Sequence, residues 1–324
     1  MAGAKCMPGP TDDLLNDRIV SMGILFGLTT ALFWGAGDFL ARYVTHALGT
    51  YRTLFFIQFI GLFSLGIYLL GTGELQHVAS VTSWQPWLWA VLAALLNIAS
   101  TLALYRAFEV GSLMLVSPIA ASYAAVTIIL AFLSGEVLTQ THDAGIALVL
   151  LGIIVVSTSF EAAGKSTGAL NPESMLRNLL FVLKKDARRG VGWAIVAALG
   201  YGITFWILGF RVTPTLGSII PVWLIRMMTP CVLVACAPFA QQKLTLPQGR
   251  VWWLIVGVSV FDTVAYITYT LGLAQGQISL TTILSSLYSA VTVLLAWIFL
   301  RERLQRSQWL GIGVIFAGIA LVNL

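Results

Sequence analysis

Apolar residues run along this chain in blocks of about 20, the length that crosses roughly 30 Å of hydrocarbon at about 1.5 Å per helical residue. The blocks fall at 21–44, 50–71, 86–109, 111–133 and 142–159, then at 190–211, 217–239, 251–274, 278–299 and 307–323. The breaks between them carry turn and charge signals: Gly71-Thr72-Gly73-Glu74, Ser134-Gly135-Glu136, Pro247-Gln248-Gly249-Arg250 and Arg301-Glu302-Arg303. A membrane β-barrel would instead show strands of about 10 residues alternating polar and apolar. The pattern predicts an all-α integral membrane protein with ten transmembrane helices.

Two stretches fall outside the blocks. Residues 1–20 hold Pro8, Pro10, Asp12, Asp13 and Asp17 without an apolar core, and read as a soluble tail and not as a cleaved signal. Residues 160–189 form a long polar linker, in which Asn171-Pro172-Glu173 has the form of a helix start. The run from Met175 to Leu183 is too short to span and ends in Lys184, Lys185, Arg188 and Arg189. It reads as an interfacial helix on an anionic lipid surface, or as a plain linker helix.

The blocks repeat. Sliding 87–158 onto 253–324 matches eleven of 72 positions, and seven of these cluster between 136 and 156. They are Glu136/Glu302, Leu138/Leu304, Gly145/Gly311, Ile146/Ile312, Gly152/Gly318, Ile153/Ile319 and Val156/Val322. Ala31-Leu32-x-Trp34-Gly35 likewise meets Ala198-Leu199-x-Tyr201-Gly202. The expected units are 21–159 and 190–324. Five spans per unit is an odd number, so the second unit enters the membrane from the opposite face. Inverted repeats of this kind mark secondary transporters, with a substrate site near the midplane.

Composition agrees: 58% of residues are hydrophobic and 10% charged, against about 25% charged in soluble domains. The net charge of +5 forms no patch for nucleic acid; the basic residues sit in short breaks, where they set orientation. One side collects Lys5, Arg18 and Arg211, and the other fourteen Lys and Arg residues, which puts both termini outside the cytoplasm. Cys6, Cys231 and Cys236 offer neither a disulfide framework nor metal spacing. His46, His77 and His142 lie in breaks or at span ends, and no His-Glu-x-x-His or glycine-rich phosphate loop occurs. Nothing here predicts an enzyme, a cofactor or a metal.

Ionisable groups inside a span cost about 2.5–3.5 kcal/mol each at its centre, so they face a cavity or a partner. Arg226 and Asp262 stand out. They are expected either to bind an anionic substrate group and a coupling proton, or to form a permanent salt bridge. Asp38 has Trp34 one turn before it and Arg42 one turn after, so it is a cavity residue or half of an Asp38–Arg42 pair. Gln58 matches Arg226 between the halves, which would place the two opposite each other across a pseudo-twofold axis.

Asn97, Thr101 and Tyr105 form a stripe, as do Asp262, Tyr266 and Tyr269. Such stripes line a polar cavity or serve as helix–helix glue; Trp34, Asn97, Tyr105, Tyr201, Tyr266 and Tyr269 are candidate substrate-binding positions. Thr281, Ser285, Ser289 and Thr292 form a further stripe that reads better as helix–helix glue. Pro118 is a candidate hinge or a simple kink. Trp84, Trp87, Trp89, Trp252 and Trp253 are interfacial anchors, and Glu136 and Glu302 are expected to cap or brace the helices that follow them.

In order along the chain, these motifs resemble the EamA family of the drug/metabolite transporter superfamily. They are Ala31-Leu-Phe-Trp-Gly-Ala-Gly-Asp38-Phe, Ala103-Leu-Tyr-Arg-Ala-Phe-Glu-Val-Gly111, Val116-Ser-Pro-Ile119, Gly135-Glu136 with Gly145 and Gly152, and Arg301-Glu302-Arg-Leu304 with Gly311 and Gly318. The resemblance implies a ten-helix carrier with a central cavity, moving metabolites by alternating access. It implies a small-molecule substrate drawn from amino acids, nucleotide derivatives, sugars or drugs, without naming the cargo; membrane lipid and a coupling proton or exchanged solute are the other expected partners. A channel, or a receptor or scaffold, is the alternative. The expected place is the plasma membrane of a prokaryote. Pro118 lacks a counterpart in the second half, and the family's usual cytoplasmic termini conflict with the charge count.

Overall fold

The computed structural model describes residues 10–72, 83–136, 190–275 and 278–300, together with scattered helical positions between 144 and 155 and between 309 and 321; side chains are described from Ser21 on. Helices carry this region apart from short turns and a loop at 237–250, and no strand occurs among the described residues. The first half contains α1 (Pro10–Leu48), α2 (Thr50–Thr72), α3 (Gln85–Val110), α4 (Leu113–Ala121) and α5 (Tyr123–Leu133). The second contains α6 (Val191–Ile207), a π-turn (Leu208–Val212), α7 (Thr213–Leu216), α8 (Ile219–Cys236), α9 (Val251–Ala274), α10 (Ile278–Ser286) and α11 (Tyr288–Leu300).

Eight spans long and apolar enough to cross a membrane follow from these elements, among the described residues. The described parts of 142–159 and 307–323 are helical. The interfacial helix expected within 160–189, and Glu302, lie outside the described residues. The helix of the first span begins at Pro10, well before the apolar block, so the expected soluble tail is in part a helical extension.

Local chemistry sets the turns. α1 ends where Gly49 takes φ +81°, a left-handed value that costs glycine little. Its N–H closes on the Thr45 carbonyl at 2.8 Å, and α2 starts at the next residue. The same end of the molecule gathers the finish of α3: Arg42 donates to the Gly111 carbonyl at 3.0 Å, and Thr50 donates to Glu109 at 2.7 Å. Adjacent spans therefore alternate in direction. The interior is polar in places and the exterior greasy. Leu32, Phe63, Ile67, Leu133 and Phe299 are exposed, while Gln58, Asn97, Arg226 and many Ser and Thr are buried. That inversion is the arrangement of a protein solvated by lipid, which cannot satisfy backbone or side-chain polar groups.

The halves interlock through crossed pairs. α1 packs most extensively on α9 of the other half, and α3 in the same way on α6. α1 also meets α11, and α6 meets α5. Each of these two crossings is built on a glycine. A Cβ on Gly35 would lie 2.5 Å from the Val291 Cβ, and one on Gly202 would lie 2.4 Å from the Val126 Cβ. Hydroxyls then tie the touching backbones: Thr292 donates to the Gly35 carbonyl at 3.1 Å, and Thr127 to the Gly202 carbonyl at 3.0 Å.

The spans at 116–133 and 278–300 are each broken in two. The interruption at Ser122 carries an N–H to Ile119 at 3.1 Å, and the one at Leu287 an N–H to Leu284 at 3.2 Å. Only the first has a proline nearby. The break thus recurs in the second half without a proline.

Candidate binding cavity

Between the halves lies a cavity with about 440 Å³ of space free of protein atoms, counting its mouth. α1 contributes Trp34 and Asp38; α3 contributes Thr101, Leu104 and Tyr105; α5 and α11 contribute Tyr123 and Tyr288. α6 adds Tyr201 and Phe205, and α9 adds Asp262 and Tyr266. The lining runs from mid-span toward the end where α1 and α3 finish. On the other side of the middle the helices touch. Tyr269 hydrogen-bonds Thr282 at 2.9 Å, Gly272 sits against Thr281, and Gly27 against Leu284.

The walls are aromatic. Trp34 lies within 5.2–5.5 Å, centroid to centroid, of Tyr266, Tyr269 and Phe205, and slightly farther from Tyr123 and Tyr288. Tyr123 and Tyr288 stack at 6.2 Å with an interplanar angle of 15°. Several hydroxyls are fixed: Tyr201 donates to Thr101 at 2.8 Å, and Tyr123 pairs with Ser285 at 2.7 Å. With their hydroxyls held, these rings present faces and edges to the cavity.

Behind the wall sits a charged cluster. Arg226 is fully buried, and its Nη1 donates to Asp262 Oδ2 at 2.7 Å and to Gln58 Oε1. Its guanidinium lies 5.5 Å from the Tyr266 ring centroid. Room for the side chain comes from Gly61, where a Cβ would stand 3.0 Å from Arg226 Cδ. Arg226 Nε and Nη2, Thr263 Oγ1 and Asn97 Oδ1 are buried without hydrogen-bond partners among the described residues. Asn97 also donates to the Tyr266 hydroxyl, which ties α3 to α9.

The positions singled out from the sequence separate into two shells. Trp34, Asp38, Tyr105, Tyr201, Asp262 and Tyr266 line the cavity. Arg226, Gln58, Asn97 and Tyr269 are fully buried behind it, in contact with that lining but not part of it. Arg226 and Gln58 do meet across the axis between the halves. No ion pair joins Asp38 to Arg42 among the described residues; Arg42 turns to the Gly111 carbonyl instead. The Asp38 carboxyl is left in the cavity with no hydrogen-bond partner among the described residues.

Glu136 also differs from expectation. It accepts the Ser279 N–H and hydroxyl, both at 3.1 Å, and so caps α10 of the other half. Of the hydroxyls on α10 and α11, Ser285 and Thr292 bridge helices as expected of glue.

Tyr123, Tyr288 and Phe205 were not among the expected site residues. A findable signal existed for the first two: Tyr123-Ala-Ala-Val-Thr127 recurs as Tyr288-Ser-Ala-Val-Thr292. This pair is out of step by one residue with the ungapped alignment of the halves.

Comparison with known proteins places the architecture. A solved structure, described only as a crystal structure of a protein, matches 94% of this chain and 96% of its own with a TM-score of 0.67. At 18% identity that likeness is one of fold. An uncharacterized protein of Methanocaldococcus jannaschii is 29% identical over 137 residues, which is 42% of this chain but 96% of that protein. It is therefore similar in length to a single half. The model of the EamA-like transporter family matches twice, at 21–158 and 188–324, covering both halves. Exposed apolar spans, a buried polar interior and this double match together make the chain an integral membrane protein that belongs to the EamA-like transporter family.

Proposed function

We propose that this protein is a secondary-active transporter that moves a small metabolite across the plasma membrane of a prokaryote by alternating access. The supporting observation is the cavity between the two halves, lined by both and sealed on one side of mid-span by helix contacts. The blocks at 142–159 and 307–323 complete ten spans in this reading. Paired crossings of α1 on α9 and α3 on α6 give the halves two equivalent ways to pack, which is what rocking about a central site requires.

Cargo touches Trp34, Asp38, Tyr105, Tyr201, Asp262 and Tyr266. Arg226 is a positioning residue that orients Asp262, with Gln58, Asn97 and Tyr269 bracing the wall. Pro118 softens the break at Ser122 in one half. Coupling to a proton or to an exchanged solute supplies the driving force.

Flux into proteoliposomes tests this. A carrier gives uptake that saturates with substrate and accelerates when the opposite side is preloaded with the same solute. Flux that rises linearly with concentration and ignores preloading would indicate a channel. Binding without flux would indicate a receptor.

A further inference from the structure

We infer that the cavity is built for an organic cation with an apolar or aromatic body, and that it discriminates against zwitterions and anions. The inference rests on the transporter reading for its biology, but its evidence is the charge arrangement of the wall.

Two carboxylates and no cation line the cavity: Asp38 and Asp262. The guanidinium of Arg226 is held back from the cavity, its charge paired with Asp262 through Nη1. It is fully buried, bonded to Asp262 at 2.7 Å and to Gln58, and it lies behind the wall. A substrate carboxylate would therefore meet no positive group, and would face Asp38 instead. Asp262 is compensated, so the cavity carries the single negative charge of Asp38 when that group is ionised. Asp38 has no partner among the described residues to neutralise it. An uncompensated carboxylate in the span interior is costly, and a ligand cation removes that cost.

The remaining lining is suited to the same guest. Trp34, Tyr105, Tyr123, Tyr201, Phe205, Tyr266 and Tyr288 surround the space. Ring faces attract cations through the quadrupole of the π-system, and indole does so best. Trp34, in the middle of the cluster, lies one helical turn from Asp38. A cationic head near Asp38 with its body among the rings would use both features at once. A neutral solute would use the rings alone.

A matched series of probes decides the point: phenethylammonium, 3-phenylpropanol, phenylalanine and hydrocinnamate, which share a benzyl body and differ in charge. Binding is measured on the detergent-purified full chain by melting temperature and by tryptophan fluorescence. Phenethylammonium should bind at least about tenfold tighter than the neutral alcohol, as expected of a desolvated cation–π contact plus an ion pair. Phenylalanine and hydrocinnamate should be weaker still. D38N should remove the preference for the cation over the alcohol while D38E keeps it.

Equal binding of phenylalanine and phenethylammonium would overturn the inference, as would a neutral alcohol that matches the cation. If D38N does not fold, the wild-type series alone still decides. Proteoliposome flux separates the two readings. Saturable uptake of a zwitterion with no cation binding would sink the cation site and leave the carrier. Selective cation binding without flux of any probe would sink the carrier and leave the site.

Discussion

The two halves are alike where backbones touch and unlike where charge resides. Gly35 and Gly202 occupy equivalent places, each beneath a valine of the opposite unit and each receiving a threonine hydroxyl on its carbonyl. Trp34 and Tyr201, their immediate neighbours, are both large aromatics at the cavity wall. Four residues further on the equivalence ends: Asp38 in one half answers Phe205 in the other. Gln58 likewise answers Arg226. Close helix approach in lipid depends on small residues and van der Waals fit, so both crossings need glycine. A binding site needs only one set of charges, and a second buried set would add desolvation cost with nothing to offset it. Duplication supplied the scaffold, and divergence of the two copies supplied the chemistry, Asp38 in the first and Arg226 with Asp262 in the second.

The largest expected effect comes from removing the charge that the first half lacks. Arg226→Gln leaves the Asp262 carboxylate without its ion pair inside the protein, and should cost about 3 kcal/mol of stability. The complementary Gln58→Ala removes a neutral acceptor and should cost about 1 kcal/mol. Unfolding of the purified variants in denaturing detergent reads both. Equal losses would mean that the pair on the axis is not polarised as described.

Next come the glycines. Gly35→Ala and Gly202→Ala each push a methyl into a valine, and overpacking of that kind costs about 1–3 kcal/mol. The two losses should agree closely, because the geometry is duplicated. A large loss at one site and none at the other would break the equivalence of the crossings.

A finer comparison lies in the stacked tyrosines. Tyr123 pairs with Ser285 at 2.7 Å, whereas Tyr288 reaches the Ser117 carbonyl only at 3.5 Å, the limit of a useful hydrogen bond. Tyr123→Phe should therefore lose about 1 kcal/mol and Tyr288→Phe distinctly less. Thermal unfolding side by side gives the answer, and a reversed order would show that the hydroxyls are not what separates the two rings.

The smallest effect is a slope with pH. Burial pushes the Glu136 carboxyl up from its ordinary range, even though Ser279 donates two hydrogen bonds that favour the charged form. A raised folded value means that protonation favours the folded state. Its contribution is then fully present below the ordinary carboxylate range and is lost as pH rises through the elevated value. Glu136→Gln should flatten that part of the melting profile, which starts in the ordinary glutamate range, at about pH 4, and extends upward from it. An unchanged profile would remove Glu136 as its source.

Much of this was legible in the residues. Block length sets the number of crossings because a helix must satisfy its own backbone in hydrocarbon. The recurrence of Trp34-Gly35 as Tyr201-Gly202 announced the duplicated plan, and the rarity of charge within spans drew attention to Asp38, Arg226 and Asp262. The Arg226–Gln58 meeting followed from matching the halves one residue further out of step. The role of each charge did not follow. Spacing along one helix left Asp38 equally able to pair with Arg42 or to face a cavity.

Only the packed helices separate the groups that reach the cavity from those behind it. Arg226 is sealed by Tyr266 and Asp262 from α9 and by Gln58 from α2. Glu136 finds its partner on α10 of the other half. Such pairings depend on distances between helices far apart in the chain, and periodicity within one helix carries no information about them. Hydropathy and repetition determined what crosses the membrane and how often the plan recurs. Contact between the halves decided which charge is neutralised and which is left facing the cavity.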